Sequence, residues 1–253
     1  MRQRAVANAS RSQAQQEMIS FIIPAYNEEL ELSSTIASIR VAASGVTQPY
    51  EIIVVDDAST DATAELAAQA GARVISINRR QIAAARNAGA RAAQGDYLFF
   101  VDADTRINPK HIYEAVAALK AGYAGGSARV AVDGVIPIWG RISVRAFCTV
   151  YFALKLGAGA FLFTTRRNFD IIVGFDEQYF IGEEVCFSLA LRKLGRFKVL
   201  REPIVTSGRK LRMYSARHVL GRSLSIIIRG ARAARSRAKL DFWYNGRREN
   251  RLS

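Results

Sequence analysis

Cysteine is scarce: 253 residues carry only Cys148 and Cys186. They have no metal-ligand spacing and are too few for a disulfide framework, which excludes a zinc module and a stapled secreted scaffold. Reduced, buried thiols are the expectation, in keeping with a cytosolic location. Long apolar runs are missing too. No stretch reaches about 18 uninterrupted apolar residues, so no membrane span is expected. Met1 to Glu17 is polar and lacks the apolar core of a secretory signal, so the chain is expected to stay inside the cell, with 1–17 as a flexible tail. Acid is absent from one long segment: Pro203 to Leu240 holds ten Lys or Arg and no Asp or Glu, against a net charge of +14 for the chain. Such an excess calls for an anionic partner: nucleotide, lipid head group or nucleic acid. Nucleic acid is the least expected of these, since no recognised binding module accompanies the charge.

What is present is enough apolar material for a large core, at 50% of residues. Met18 to Ile23 reads as a strand stopped by Pro24, followed by a helical pattern on Leu30, Leu32, Ile36 and Ile39. Tyr50 to Val55 is a second strand, and Asp61 is placed to cap an Ala-rich helix over 62–70. A short strand over 72–77, a helix over 79–93, a strand over 97–101 and a helix from Pro109 to about Ala121 complete the first half. Alternating strands and helices predict an α/β fold, a mostly parallel, doubly wound (Rossmann-like) sheet with helices on both faces.

Carboxylates gather where the strands end. The run Tyr97-Leu98-Phe99-Phe100-Val101 stops in Asp102-Ala103-Asp104, and the second strand stops in Asp56-Asp57. Ligands collect at the carboxyl ends of strands in open α/β sheets. Two acids one residue apart repel unless a cation lies between them or one takes up a proton. Mg²⁺ or Mn²⁺ suits carboxylate and phosphate oxygens together. The first strand, too, is followed by a polar cluster, Asn27-Glu28-Glu29; turn and cap roles explain one such cluster comfortably, and three poorly.

Pro24-Ala25-Tyr26-Asn27-Glu28, Val54-Val55-Asp56-Asp57-Ala58-Ser59-Thr60-Asp61, Arg86-Asn87-Ala88-Gly89 and Asp102-Ala103-Asp104 stand in the order and spacing of the family 2 glycosyltransferases, which the chain resembles. The likeness continues through Gly174-Phe175-Asp176-Glu177, similar to the family's Gly-Gly-Phe-Asp-Glu, and Gly182-Glu183-Glu184, similar to its Gly-Glu-Asp element. It covers roughly Ile19 to Arg196 and implies the nucleotide-sugar-binding GT-A fold. It also implies a donor such as a UDP- or GDP-sugar, a hydroxyl-bearing acceptor and inversion at the transferred sugar.

Residue by residue, the resemblance implies that Asp57 accepts from the base, that Pro24, Ala25 and Tyr26 line its slot, and that Glu28 reaches ribose or base. Asp104 is implied as the primary ligand of Mn²⁺ or Mg²⁺. Asp102, with Ala103 beside it, is implied on ribose or a metal-bound water. Arg86, with Arg79 or Arg80 beside it, is implied on the diphosphate; solvated helix faces are the alternative for these arginines. Glu184 matches the general base, with Glu183 as the fallback and a helix N-terminus as the plain structural reading of both. Cys186 departs from the pattern, standing where an acid is common. His218 matches the downstream histidine that some relatives use on the metal, or is a surface residue. Ser207-Gly208-Arg209-Lys210 resembles a mobile basic loop able to close over the diphosphate.

The expected organisation is a GT-A unit over 18–211, with a donor half (18–125) and an acceptor and catalytic half (126–211), then a basic amphipathic segment over 212–253. Val135 to Phe163 is apolar with interspersed Arg141, Arg145 and Lys155, suited to the acceptor side of the cleft or to an interfacial helix. Arg222, Arg229, Arg232 and Arg235 lie beside Leu224 and Ile226 to Ile228 and precede Phe242-Trp243-Tyr244. That pattern docks on an anionic membrane surface at the inner face, or packs on the domain. Two rival functions stand: a nucleotidyltransferase, which would want a Gly-rich basic loop where Pro-Ala-Tyr-Asn-Glu-Glu stands, and a non-catalytic binding or membrane-docking protein of the same fold.

Overall fold

The computed structural model describes residues 17–134, 138–139, 152, 154 and 156–209. His218, Cys148, the tail over 1–16, most of 135–155 and the basic segment beyond Arg209 lie outside the described residues. The elements are β1 (Ile19–Ala25), α1 (Leu32–Ala43), β2 (Tyr50–Asp57), α2 (Thr63–Gln69), β3 (Arg73–Ile77), α3 (Ile82–Ala92), β4 (Tyr97–Val101), β5 (Thr105–Arg106), α4 (Pro109–Lys120), β6 (Gly125–Val132), β7 (Phe161–Thr165), α5 (Arg166–Ile171), α6 (Glu183–Leu194) and β8 (Phe197–Thr206).

All eight strands join one sheet in the order β3-β2-β1-β4-β7-β6-β8-β5. The first four strands, β1 to β4, pair in parallel, and the short β5 pairs antiparallel with β8. β7 then enters antiparallel between β4 and β6, and β8 returns parallel to β6, so the second half is mixed. The expected doubly wound sheet with helices on both faces is present, with an antiparallel insertion that no local pattern announces.

Strand alternation splits the core in two. Phe21, Ile23, Ile52, Val54, Phe99 and Val101 face α1 and α4, while Ile22, Ile53, Val55, Leu98 and Phe100 face α3, α5 and α6. Both faces of the central strands are therefore apolar, as a sandwiched parallel sheet requires. Gly89 of α3 lets that helix close on β1 and β2; a Cβ there would lie 2.9 Å from the Val55 Cγ2.

Three boundaries differ from expectation: β2 runs on to Asp57, paired with β3 as far as Ile77, and two more have clear causes. β1 runs through Pro24 to Ala25, because pairing with β4 has ended at Ile22↔Phe100 and Pro24 continues beside β2 alone, where its missing N–H interrupts nothing. α3 starts at Ile82, not Arg79, because the Asp57 carboxylate draws the N–H groups of Arg79, Arg80 and Gln81 into a turn with Arg80 at φ 51°. Asp61 does serve the start of α2, accepting from the Thr63 N–H at 3.0 Å.

After α5 the chain makes two successive left-handed residues, Val173 at φ 62° and Gly174 at φ 74°. Val173 is β-branched and 85% exposed, so no contact of its side chain offsets the strain. Val173→Gly is expected to stabilise the fold by about 1 kcal/mol, raising the melting temperature by about 2–4 °C. An unchanged or lower melting temperature would contradict the strain.

Among the described residues no helix is long and apolar enough to cross a membrane. Cys186 is free and half-buried rather than buried.

Candidate functional site

The carboxyl ends of β1, β2 and β4 form the floor of the site. The turn after β1 is fastened to the turn after β2: the Asn27 N–H donates to the Ser59 Oγ at 3.0 Å, the Thr60 N–H to the Asn27 Oδ1 at 2.8 Å, and the Glu28 N–H to the Thr63 Oγ1 at 2.7 Å. Asn27 and Ala58 both take left-handed φ (52° and 60°), conformations that side chains other than Gly, Asn and Asp avoid and that cluster at functional sites. Tyr26 carries the Arg80 guanidinium over its ring at 3.4 Å from the centroid.

Asp56 and Asp57 point to opposite faces of the sheet by strand alternation. Asp57 turns to α3, where both its oxygens accept backbone N–H groups, from Arg79 and Arg80 at 2.7 and 2.8 Å and from Gln81 at 2.7 Å. Asp56, adjacent to Ala25 in the ladder, meets only the Ser59 N–H at 3.4 Å among the described residues. Of the two, Asp56 keeps more unused acceptor capacity at the edge beside Pro24, Ala25 and Tyr26, whereas Asp57, the residue expected on the base, has both oxygens engaged by backbone N–H groups.

Two arginines resolve the repulsion within Asp102-Ala103-Asp104. Arg86, 1% exposed on α3, donates to the Asp102 Oδ1 at 2.9 Å, to the Glu183 Oε1 at 2.8 Å and to the Gly159 carbonyl at 2.9 Å. Burial pushes the Asp102 carboxyl up to about 6; Arg86 opposes that rise and the Asp104 charge adds to it. Arg209, 8% exposed, forms a bidentate pair with Glu28 at 2.6 Å on both nitrogens and lies 3.3 Å from the Asp104 Oδ2. The Thr206 hydroxyl donates to the Asp104 Oδ1 at 3.2 Å. Arg86 is thus spent on carboxylates in this state, and Arg209 joins the first motif of the chain to Asp104.

α6 brings in the last acids. Gly182 at φ 80° turns the chain into the helix, so Glu183 and Glu184 open its first turn. Glu183 is buried on Arg86, while Glu184 keeps partial contact with solvent. Burial, then the adjacent Glu183 charge, raises the Glu184 carboxyl to about 8. A carboxyl raised by burial and by a neighbouring carboxylate, beside a buried arginine at the sheet edge, is a candidate for acid–base chemistry.

Of the residues singled out in the sequence, Arg86, Asp102, Glu183 and Glu184 form one cluster, and Glu28 and Asp104 a second one around Arg209. Pro24, Ala25 and Tyr26 line the edge beside them, and Ala103 is buried with its carbonyl accepting from the Thr35 hydroxyl at 2.8 Å. Sequence reasoning missed the Arg209 ion pairs and the hydrogen bonds of Asn87 and Gln81 to the 175–179 segment. Asn87 stood in a recognised motif, which was the available signal; Arg209 was noted only as part of a loop.

The family model described as Glycosyl transferase family 2 matches residues 20–202. The chain belongs to this family. The undecaprenyl-phosphate 4-deoxy-4-formamido-L-arabinose transferase of Aeromonas hydrophila is 35% identical over 115 residues, 42% of this chain and 35% of that protein. The succinoglycan biosynthesis protein ExoO of Rhizobium meliloti is 32% identical over 205 residues, 76% of this chain and 57% of that protein. The chain therefore spans under two thirds of either relative's length. Among solved structures, S. aureus TarS 1-349 in complex with UDP-GlcNAc superposes with a TM-score of 0.59 at 21% identity, covering 76% of this chain and 59% of that one. The mannosyltransferase PcManGT of Pyrobaculum calidifontis, in complex with GDP-Man and Mn²⁺, gives a TM-score of 0.59 at 19% identity, covering 86% of this chain and 66% of that one. At such identities the likeness establishes the fold, which is GT-A.

Proposed function

We propose that this family 2 member is an inverting, metal-dependent glycosyltransferase that moves one sugar from a nucleoside-diphosphate donor to a hydroxyl acceptor. The observation that carries this reading is Arg86, which draws the Asp102 carboxylate after β4 and the Glu183 carboxylate of α6 onto one guanidinium, with Glu184 beside them. UDP-GlcNAc in TarS and GDP-Man in PcManGT support a nucleotide-sugar donor. In the proposed step Glu184 accepts the acceptor's hydroxyl proton as that oxygen bonds to the donor's anomeric carbon. The bond from that carbon to the diphosphate breaks on the opposite face, and the nucleoside diphosphate leaves with the electron pair.

No group of three or more His, Cys, Asp or Glu side chains is gathered as a metal site among the described residues. Two carboxylates on one edge nonetheless suit Mg²⁺ or Mn²⁺, which take one or two carboxylates and fill their shell with phosphate oxygens and water. Asp104, with Asp102 behind it, would hold the ion, and the bound ion supplies positive charge to the leaving diphosphate. Asp56 or Asp57 with Pro24, Ala25 and Tyr26 would receive the base, and Glu28 the ribose side. Arg86 acts by fixing Asp102 and Glu183. The acceptor is proposed to be a lipid or a growing polysaccharide at the membrane surface, supported by the names of the two relatives and by the basic segment beyond Arg209.

Thermal shift with nucleotides, with and without Mn²⁺, tests the donor side. A nucleotide at 100 times its Kd is expected to stabilise the protein by about 2.7 kcal/mol, a rise of several degrees that requires the metal and disappears in Asp104→Ala. If no nucleotide shifts the wild type under either condition, the reading fails.

A further inference from the structure

Asn87 is 6% exposed on α3 and is fully engaged with the chain segment that leads into α6. Its Oδ1 accepts from the Phe175 N–H at 2.9 Å, and its Nδ2 donates to the Phe175 carbonyl at 2.9 Å and to the Glu177 Oε1 at 3.0 Å. The side-chain amide thus pairs with one residue's backbone as a neighbouring strand would. Gly174 must be glycine for this approach: its φ is 74°, and a Cβ would stand 2.6 Å from the Asn87 Oδ1. Six residues earlier, at the N-cap of α3, Gln81 donates to the Glu177 and Tyr179 carbonyls, so the α3 region grips the same segment twice.

Phe175 passes this placement on. Its ring stacks on Phe187 of α6 with centroids 4.0 Å apart and planes 7° from parallel, and it meets Phe100 of β4 edge-on at 4.9 Å. Phe187 lies one turn past Glu183 and Glu184. The α3 start is itself held by Asp57, at the end of the strand that bounds the proposed base slot. A rigid line therefore runs from the β2 edge through α3 and Asn87 to Phe175, Phe187 and the first turn of α6.

We infer that Asn87 is a positioning residue that sets Glu184 at its distance from the bound donor by fixing Phe175. The inference rests on the reading of Glu184 as the base. Asn87 touches neither donor nor acceptor in this role, and its loss should slow the bound complex without weakening donor binding.

The test compares wild type, Asn87→Ala, Asn87→Asp and the double variant Asn87→Asp with Glu177→Gln, measuring transfer at saturating substrates and donor Kd by calorimetry. A misplacement near 1 Å costs about a hundredfold in rate, so Asn87→Ala is expected to lose about that much kcat while donor Kd stays within about threefold. Asn87→Asp keeps the bond from the Phe175 N–H but sets a carboxylate against the Phe175 carbonyl and Glu177. Adding Glu177→Gln restores a donor to that pair, and about tenfold of the lost rate should return, equivalent to about 1.4 kcal/mol. Wild-type kcat in Asn87→Ala, or equal losses in kcat and donor affinity, overturns the inference. If the alanine variant does not fold, the absence of any recovery in the double variant overturns it. A wild type that binds donor and transfers no sugar overturns the base reading first, which keeps the two failures apart.

Discussion

Glu184→Gln is expected to lower transfer by about 10²–10⁴-fold while leaving donor binding in place, the range that a positioned general base supplies. Glutamine preserves the size of the side chain and its place in the first turn of α6, so the loss isolates proton acceptance. The pH profile carries an independent signature. Desolvation and the Glu183 charge raise the Glu184 carboxyl from 4.5 to about 8, so the wild-type kcat/KM should climb with pH and level off above that value. Stability moves the other way. Where the folded carboxyl holds a proton that the unfolded chain has released, between about pH 4.5 and 8, wild-type stability falls as pH rises. Glutamine removes that dependence, so the variant should melt no lower than wild type at pH 8. Thermal melts at pH 5 and 8 alongside the kinetics check both parts; a Gln variant that transfers at the wild-type rate sinks the assignment.

Arg86→Met is expected to be strongly destabilising. Methionine fills much of the space but leaves the Glu183 and Asp102 carboxylates without their shared guanidinium, and the Gly159 carbonyl without a donor. Removing one partner of a buried ion pair costs about 3–5 kcal/mol, which lowers the melting temperature by about 10 °C in a chain of this size. The sign of the pH effect follows from the cause. Without Arg86 the Asp102 carboxyl, already raised by burial, loses the charge that opposes that rise, so ionising it opposes folding and the deficit grows as pH rises. At pH 5 protonation relieves part of it. Equal deficits at pH 5 and pH 8 would show that carboxylate desolvation is not the source.

Much of the donor half was legible because its signals are local. Five consecutive apolar, aromatic or β-branched residues from Tyr97 to Val101, with no Gly or Pro, read as a strand buried on both faces, and the carboxylates that follow it then lie at its carboxyl end. Pro109 starts α4 because proline needs no N–H at a helix's first turn. The motif order pointed to the family, and residues 20–202 match it. The boundaries that were misplaced, at Pro24 and at Arg79, depend on where a neighbouring strand stops and where a distant carboxylate sits, and neither is local.

The partners of the site residues were decided by tertiary structure. Glu28 and Arg209 are 181 positions apart and Arg86 and Glu183 are 97 apart, yet each pair shares short charged hydrogen bonds. Nothing in composition or periodicity selects these pairs from 36 basic and 22 acidic residues. The antiparallel entry of β7 between β4 and β6 carries Gly159 to Arg86, and β8 delivers Thr206 and Arg209 to Asp104. Hydrophobic periodicity reports which side of an element is buried. Which charge meets which across the sheet edge follows from strand order, and strand order is set by packing of the whole chain.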